Sequence, residues 1–205
     1  MKTLRIGAGA GYSGDRIEPA VELAEQGDLD YLVFECLAER TIALAQQARI
    51  SDPAGGYDPL LSERMQRVLP FVGRQPGRRR LRVITNMGAA NPVSAAAEVR
   101  RIAGELGVNL KVVAVVGDDV LQALRPEQWL DNGQTVGALG ERLVSANADL
   151  GVEGILEALR ADADVVITGR VAAPSLFLAP QLFEFGWAAD AWQRLGRGTL
   201  VGPVL

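Results

Sequence analysis

Short apolar runs alternate with amphipathic stretches along the whole chain. Residues 4–8 read as a first strand, and the run Tyr31-Leu32-Val33-Phe34 inside 30–36 as a second. That second run is nearly continuous in apolar character, as expected of a strand covered on both faces. Residues 81–85, 110–116 and 164–168 complete a set of five. Between them lie helical patterns. Residues 15–26 place Ile17, Ala20, Val21 and Ala24 on one face. Asp15 with Glu18 gives a capping-box-like start, and Gly27 a stop. Further helices are expected over 38–49, over 60–72 with an end near Pro70, over 92–106, over 151–161 and over 174–185. Asn91 as N-cap and Pro92 at the first helical position mark the 92–106 helix most clearly. A short helix is expected to begin over 120–125. Residues 128–148 show no clear period, are rich in glycine, and read as an insertion over a site. The alternation predicts an α/β fold: a mostly parallel sheet of five or six strands with helices on both faces, doubly wound and Rossmann-like. Residues 1–205 form one domain in this reading, since a closed eight-stranded barrel runs to ~250 residues.

Composition narrows the chemistry. Of 205 residues, 48% are hydrophobic and 22% charged, which is globular composition. The net charge of −4 argues against a nucleic-acid partner held by bulk charge. The chain has no histidine, so a Ser-His-Asp triad, a Cys-His dyad and a His-ligated metal site are excluded within it. Its one cysteine, Cys36, excludes an intrachain disulfide and reads as buried packing. No apolar run approaches the ~18–20 residues of a membrane span, and the amino terminus carries no signal-peptide pattern. A cytoplasmic protein with no membrane partner is the expectation. The basic triplet Arg78-Arg79-Arg80 reads as a solvated turn.

Ligands of open parallel sheets bind beyond the carboxyl ends of the strands. The segments that follow the five strands are therefore the candidates. The first is Gly9-Ala10-Gly11-Tyr12-Ser13-Gly14, the second ends in Glu35-Cys36, and the third gives Asn86-Met87-Gly88. The fourth gives Gly117-Asp118-Asp119 and the fifth Thr168-Gly169-Arg170. Gly9, Gly11, Gly14, Asn86, Gly88 and Gly169 are candidate ligand contacts, and Arg170 a candidate clamp for an anion. An ion pair with Asp118, Asp119 or Glu35 is the alternative for Arg170. Glu35 and Asp118 are the acid/base candidates. Asp118 with Asp119 is a candidate oxygen site for a divalent cation, with a helix N-cap as the alternative. The glycine run matches the dinucleotide pattern G-x-G-x-x-G in outline, with Glu35 about 20 residues on. Its best helix cap, Asp15, comes after the last glycine, which sets a carboxylate where a diphosphate would sit.

Taken in order, these segments resemble the acyclic terpene utilisation protein AtuA family. The resemblance is carried by Gly9-Ala10-Gly11-Tyr12-Ser13-Gly14-Asp15-Arg16, Phe34-Glu35-Cys36-Leu37-Ala38-Glu39, Gly56-Tyr57-Asp58-Pro59 and Thr85-Asn86-Met87-Gly88-Ala89-Ala90-Asn91-Pro92. Gly117-Asp118-Asp119, Thr168-Gly169-Arg170-Val171, Pro174-Ser175-Leu176-Phe177-Leu178-Ala179-Pro180 and Glu184-Phe185-Gly186-Trp187 continue it. It implies a role in catabolism of acyclic terpenes such as citronellol and geraniol, among CoA-thioester intermediates. It carries candidate positions and no mechanism. The chain looks like the front part of a longer family domain. It departs from the family pattern at Ala173, where an Asp is expected, and at Phe183 and Pro203, where His is expected.

The leading expectation is an enzyme, or an enzyme-derived domain, that binds a small molecule such as an acyl-CoA or a branched acid. A non-catalytic interaction or regulatory module is the alternative, and a nucleotide-dependent oxidoreductase a second. No cofactor is named by the residues. A homo-oligomer is expected, with its seam along the tail from Trp187 onward, through Trp192, Leu195, Leu200, Val201, Val204 and Leu205.

Overall fold

The structure is a computed structural model and describes residues 2–204. Five strands form one all-parallel sheet: β1 (Ile6–Ala10), β2 (Tyr31–Phe34), β3 (Arg82–Thr85), β4 (Val112–Val115) and β5 (Val165–Thr168), in the order β1-β2-β3-β5-β4. The inner strands β2 and β5 are buried along their whole length, which explains their unbroken apolar character. The α/β architecture with helices on both faces is the one expected.

Strand order sets the faces. The steps from β1 to β2 to β3 to β4 all run one way across the sheet. Right-handed crossovers then put α1 (Glu18–Gln26), α3 (Leu61–Val68) and α4 (Pro92–Glu105) on one face, where they enclose Phe34, Val83 and Ile167. The step from β4 back to β5 reverses direction. It carries α5 (Glu153–Arg160), and after it α6 (Ala173–Phe185), to the other face against Tyr31, Val33 and Val166. The loops leaving neighbouring strands β3 and β5 therefore diverge to opposite faces, which is the topology that opens a crevice at the carboxyl edge. Helix α2 (Glu39–Ser51) covers neither sheet face. Its buried Ile42 and Ala45 pack with Leu37, Ala89 and Ala90, residues that follow β2 and β3.

Several local expectations change. The strand of residues 4–8 runs on to Ala10, so Gly9 lies inside it; a Cβ there would sit 2.5 Å from the Phe34 ring. Helix α1 opens at Glu18 with no side-chain cap. Asp15 instead accepts hydrogen bonds from the N–H groups of Gly11 and Arg16, because it lies outside the first turn. Arg79 and Arg80 are tied to carboxylates at the amino edge, Arg79 to Asp28 and Asp30, Arg80 to Asp162 and Asp164. The tail forms α7 (Trp192–Thr199) and α8 (Val201–Val204), both packed on α6. Trp187 stacks on Phe185 at 5.5 Å, while Trp192, Leu200 and Val204 stay exposed. Leu205 lies outside the described residues.

The glycine-rich stretch after β4 makes an excursion with a closed neck. Val120 N–H donates to Ala146 O, Ala148 N–H donates to Asp118 O, and Asp119 bridges Asn147. Inside the excursion lie two 3₁₀ segments, Leu121–Ala123 and Val136–Arg142, and a single antiparallel bridge between Trp129 and Thr135. The Asp118 side chain, 4% exposed, fastens this neck to β5: its Oδ2 accepts from Asn147 Nδ2 at 2.9 Å and from Arg170 N–H at 2.8 Å. Gly169 makes that possible, since a Cβ there would lie 2.6 Å from the carboxylate. Replacing Asp118 by Ala leaves two donors unpaired and is expected to lower unfolding free energy by about 1–3 kcal/mol. Urea melts check this, with Asp118→Asn, which keeps an acceptor, losing less. An alanine variant with an unchanged midpoint would contradict the assignment.

Candidate functional site

The largest cleft, about 520 Å³, opens at the carboxyl edge beside β1. One side is backbone and loop: Ala8, Gly9, Ala10 and Gly11 of the first strand and its exit, then Asp15, Arg16 and Pro19. The other side is apolar, from Ala173, Pro174 and Phe177 of α6 and Gly202 of α8. Glu35 closes the end nearest β2. Among the described residues that line the cleft, Arg16 is the only cation, against the carboxylates of Asp15 and Glu35.

Glu35 is held from behind. Asn86, 1% exposed, donates from Nδ2 to Glu35 Oε1 at 3.0 Å and accepts the Cys36 N–H at 2.7 Å on its own Oδ1. Asn86 thereby ties the exit of β3 to the exit of β2 and fixes the Glu35 carboxylate at the cleft wall. Thr85 does a related task one residue earlier, donating to Phe34 O and accepting Met87 N–H. Gly88 packs so close to β5 that a Cβ would meet Thr168 O at 2.5 Å. It serves the joining of β3 and β5 rather than lining the cleft.

The loop on the opposite wall is pinned by Arg64. This side chain is completely buried, and its partners are a carbonyl, a sulfur and a ring rather than a carboxylate. Nη2 donates to Asp15 O at 2.7 Å, Nη1 lies 3.5 Å from Cys36 Sγ, and the guanidinium sits 5.4 Å from the centre of the Phe34 ring. Its Nε has no partner among the described residues. Burial pushes the Cys36 thiol up to about 12, with Arg64 only partly opposing, so the thiol is protonated at neutral pH and no nucleophile. Arg64 and Arg16 are absent from the sequence-based candidates. Arg64 carried a signal: with Leu61, Met65 and Val68 it occupies the apolar face of an amphipathic helix, where a lone charge is out of place.

The other candidates gather on the β4–β5 side of the same edge. Arg170 is held by Asp149 and by Glu39, the latter at 2.8 Å. Neither is among the three partners considered for it from sequence. Asp119 caps Leu121 N–H and lies 3.5 Å from Arg49, while Asp118 serves the excursion neck. The two carboxylates engage separate partners, and no group of three His, Cys, Asp or Glu side chains is placed to hold a metal ion among the described residues. Gly14 follows Gly11 in the loop with φ +94°, a conformation that glycine adopts freely. Helix α1 starts four residues later, whereas a dinucleotide fold needs its helix to open within the glycine run.

A family model described as acyclic terpene utilisation family protein AtuA matches residues 4–205, nearly the whole chain. The chain belongs to the AtuA family. No curated protein and no solved structure matches it significantly. No helix of this AtuA-family chain is long and apolar enough to cross a membrane among the described residues.

Arg64 gives a test of how the cleft is built. A buried cation without a carboxylate contributes little net stability, and an apolar side chain of similar length replaces such groups at small cost. Arg64→Met is expected to keep or raise the melting temperature while freeing the Asp15 carbonyl. Hydrogen exchange at the Gly11 and Arg16 amides should then speed up about tenfold. A lower melting temperature with unchanged exchange at these amides would contradict this role.

Proposed function

We propose that this AtuA-family chain binds an acyl-CoA of acyclic terpene or related branched-acid catabolism in the carboxyl-edge cleft. The observation that carries the reading is the division of the cleft. Phe177, Pro174 and Ala173 offer an apolar wall to a hydrocarbon chain, while the Gly9–Gly11 backbone, Glu35 and Arg16 offer polar contacts at the mouth. Charge selects between ligand forms. Two carboxylates face one cation, so a free carboxylate inserted there meets net repulsion. A thioester is neutral at its reacting end, and its phosphates remain outside, within reach of the exposed Arg16.

Glu35 is the acid/base group in this reading. One of its oxygens is occupied by Asn86, and the cleft carries the carboxylate next to the apolar wall where the acyl chain would lie. Proton abstraction from carbon beside the thioester carbonyl is the reaction class that such a carboxylate serves. Arg170 acts as a brace here, because Asp149 and Glu39 already neutralise it.

Calorimetric titration tests the reading with an acyl-CoA bearing a ten-carbon acyclic terpenoid chain, its free acid and CoA alone. The acyl-CoA is expected to bind more tightly than either of the others. Arg16→Ala should weaken it about fivefold at low salt and less at high salt. Arg170→Met should leave the affinity within about twofold, since its charges are satisfied internally. Tighter binding of the free acid, or loss of binding with Arg170→Met in a folded protein, would overturn it.

A further inference from the structure

A second cavity of about 150 Å³ lies beneath α2, on the far side of the residues that close the main cleft. Thr41, Leu44, Ala45 and Ala48, at spacings of three and four along α2, form its roof. Cys36, Tyr57 and Met87 stand on the opposite walls. Most of this lining is apolar. Leu44 nevertheless remains half exposed at the rim, so the roof presents apolar surface that the chain itself does not cover. The cavity exists because α2 spans the carboxyl edge instead of lying on the sheet. Its small residues, Ala45 and Ala48, leave a gap above the ends of β2 and β3.

Neighbouring residues line the two cavities and form the partition between them. Glu35 lines the large cleft, and the next residue, Cys36, lines the small one. Asn86 lines the small cavity and donates to Glu35 across the boundary at 3.0 Å. The same loop gives Gly11 and Asp15 to the cleft and Ser13 to the cavity. A chain running from one cavity to the other would pass the Glu35 carboxylate.

Volume limits what the small cavity can take. At the roughly 30 Å³ that one water occupies in the liquid, 150 Å³ holds about five or six non-hydrogen atoms, and apolar cavities of that size are known to bind benzene, with its six carbons. Five carbons is one branched isoprenoid unit. We infer that the cavity beneath α2 is the pocket for the branched hydrocarbon end of the acyl chain, which selects ligands by the size of that end. The inference rests on the acyl-CoA reading of the main cleft and places the acyl chain across the Glu35–Asn86 partition. The polar end stays by Arg16 and the distal carbons lie against Met87 and Ala45.

Two measurements test it on the intact chain. Benzene is titrated while the methionine methyl groups are followed by NMR, and the Met87 methyl is expected to shift. Ala45→Leu, which fills the cavity from a helical position with a residue of good helix propensity, should abolish that shift. In calorimetry, the same variant is expected to lose at least about tenfold in affinity for the ten-carbon acyl-CoA and less than twofold for a five-carbon truncation. Ala48→Leu, at the exposed end of the roof, repeats the test if Ala45→Leu does not fold. A Met87 methyl indifferent to benzene, or filled variants that keep full preference for the longer chain, would overturn the inference while acyl-CoA binding itself stands. Benzene binding with no acyl-CoA binding in any variant would instead sink the acyl-CoA reading and leave a hydrocarbon pocket of other use.

Discussion

A parallel sheet brings all its strand exits to one edge, and at that edge the ladder of backbone hydrogen bonds stops. The N–H groups just beyond each strand then need partners, because an unmet buried donor costs about 1–3 kcal/mol. In this protein side chains supply them. Asn86 accepts from Cys36, Thr85 from Met87 and Asp118 from Arg170, and at the exposed exit of β1 Asp15 accepts from Gly11. Each bond joins neighbouring exits or closes one loop, so the edge is a connected frame. Where the topology would open a crevice between β3 and β5, close packing fills it instead, with Gly88 so near Thr168 O that a Cβ would not fit.

That constraint decides which polar groups remain for a ligand. Asn86, Asp118, Asp119 and Arg170 are engaged by the protein's own groups. Glu35 and Arg16 face the cleft, the first steadied by Asn86, the second carried on a loop whose Asp15 carbonyl is gripped by buried Arg64. The burial of Arg64 without a carboxylate is costly by itself. Its contacts with the Phe34 ring and the Asp15 carbonyl offset part of that cost and hold the wall of the cleft in place. A stability concession beside a cleft is the pattern expected where a site is being shaped.

The layout of strands and helices was legible because local signals agree with the fold. Val165-Val166-Ile167 reads as a buried strand, and Asn91-Pro92 as the start of a helix whose N-cap the structure confirms through Asn91 Oδ1 and Ser94 N–H. The strand order was not legible, since nothing local distinguishes a forward crossover from the reversal after β4. That the candidate residues lie at the strand exits on one edge was legible, but their partners within the fold were not. Arg170 finds Glu39 from 131 residues away, and no spacing announces that. Asp15 looked like a cap because Glu18 stands three residues on; the helix starts later, and the carboxylate turns back to Gly11. The excursion after β4 lacks a hydrophobic period because it buries little, and its closed neck rests on contacts no window of sequence contains.

The proposed ligand site is the Glu35–Arg16 cleft and not another part of the edge. Backbone amide shifts recorded during titration with the ten-carbon acyl-CoA test it most directly. The largest changes are expected at Gly9, Gly11, Arg16 and Glu35, with Asp149 and Arg170 little moved. Changes centred on Arg170, Asp118 and Asp119, or on Arg79 and Arg80 at the opposite edge, would contradict it.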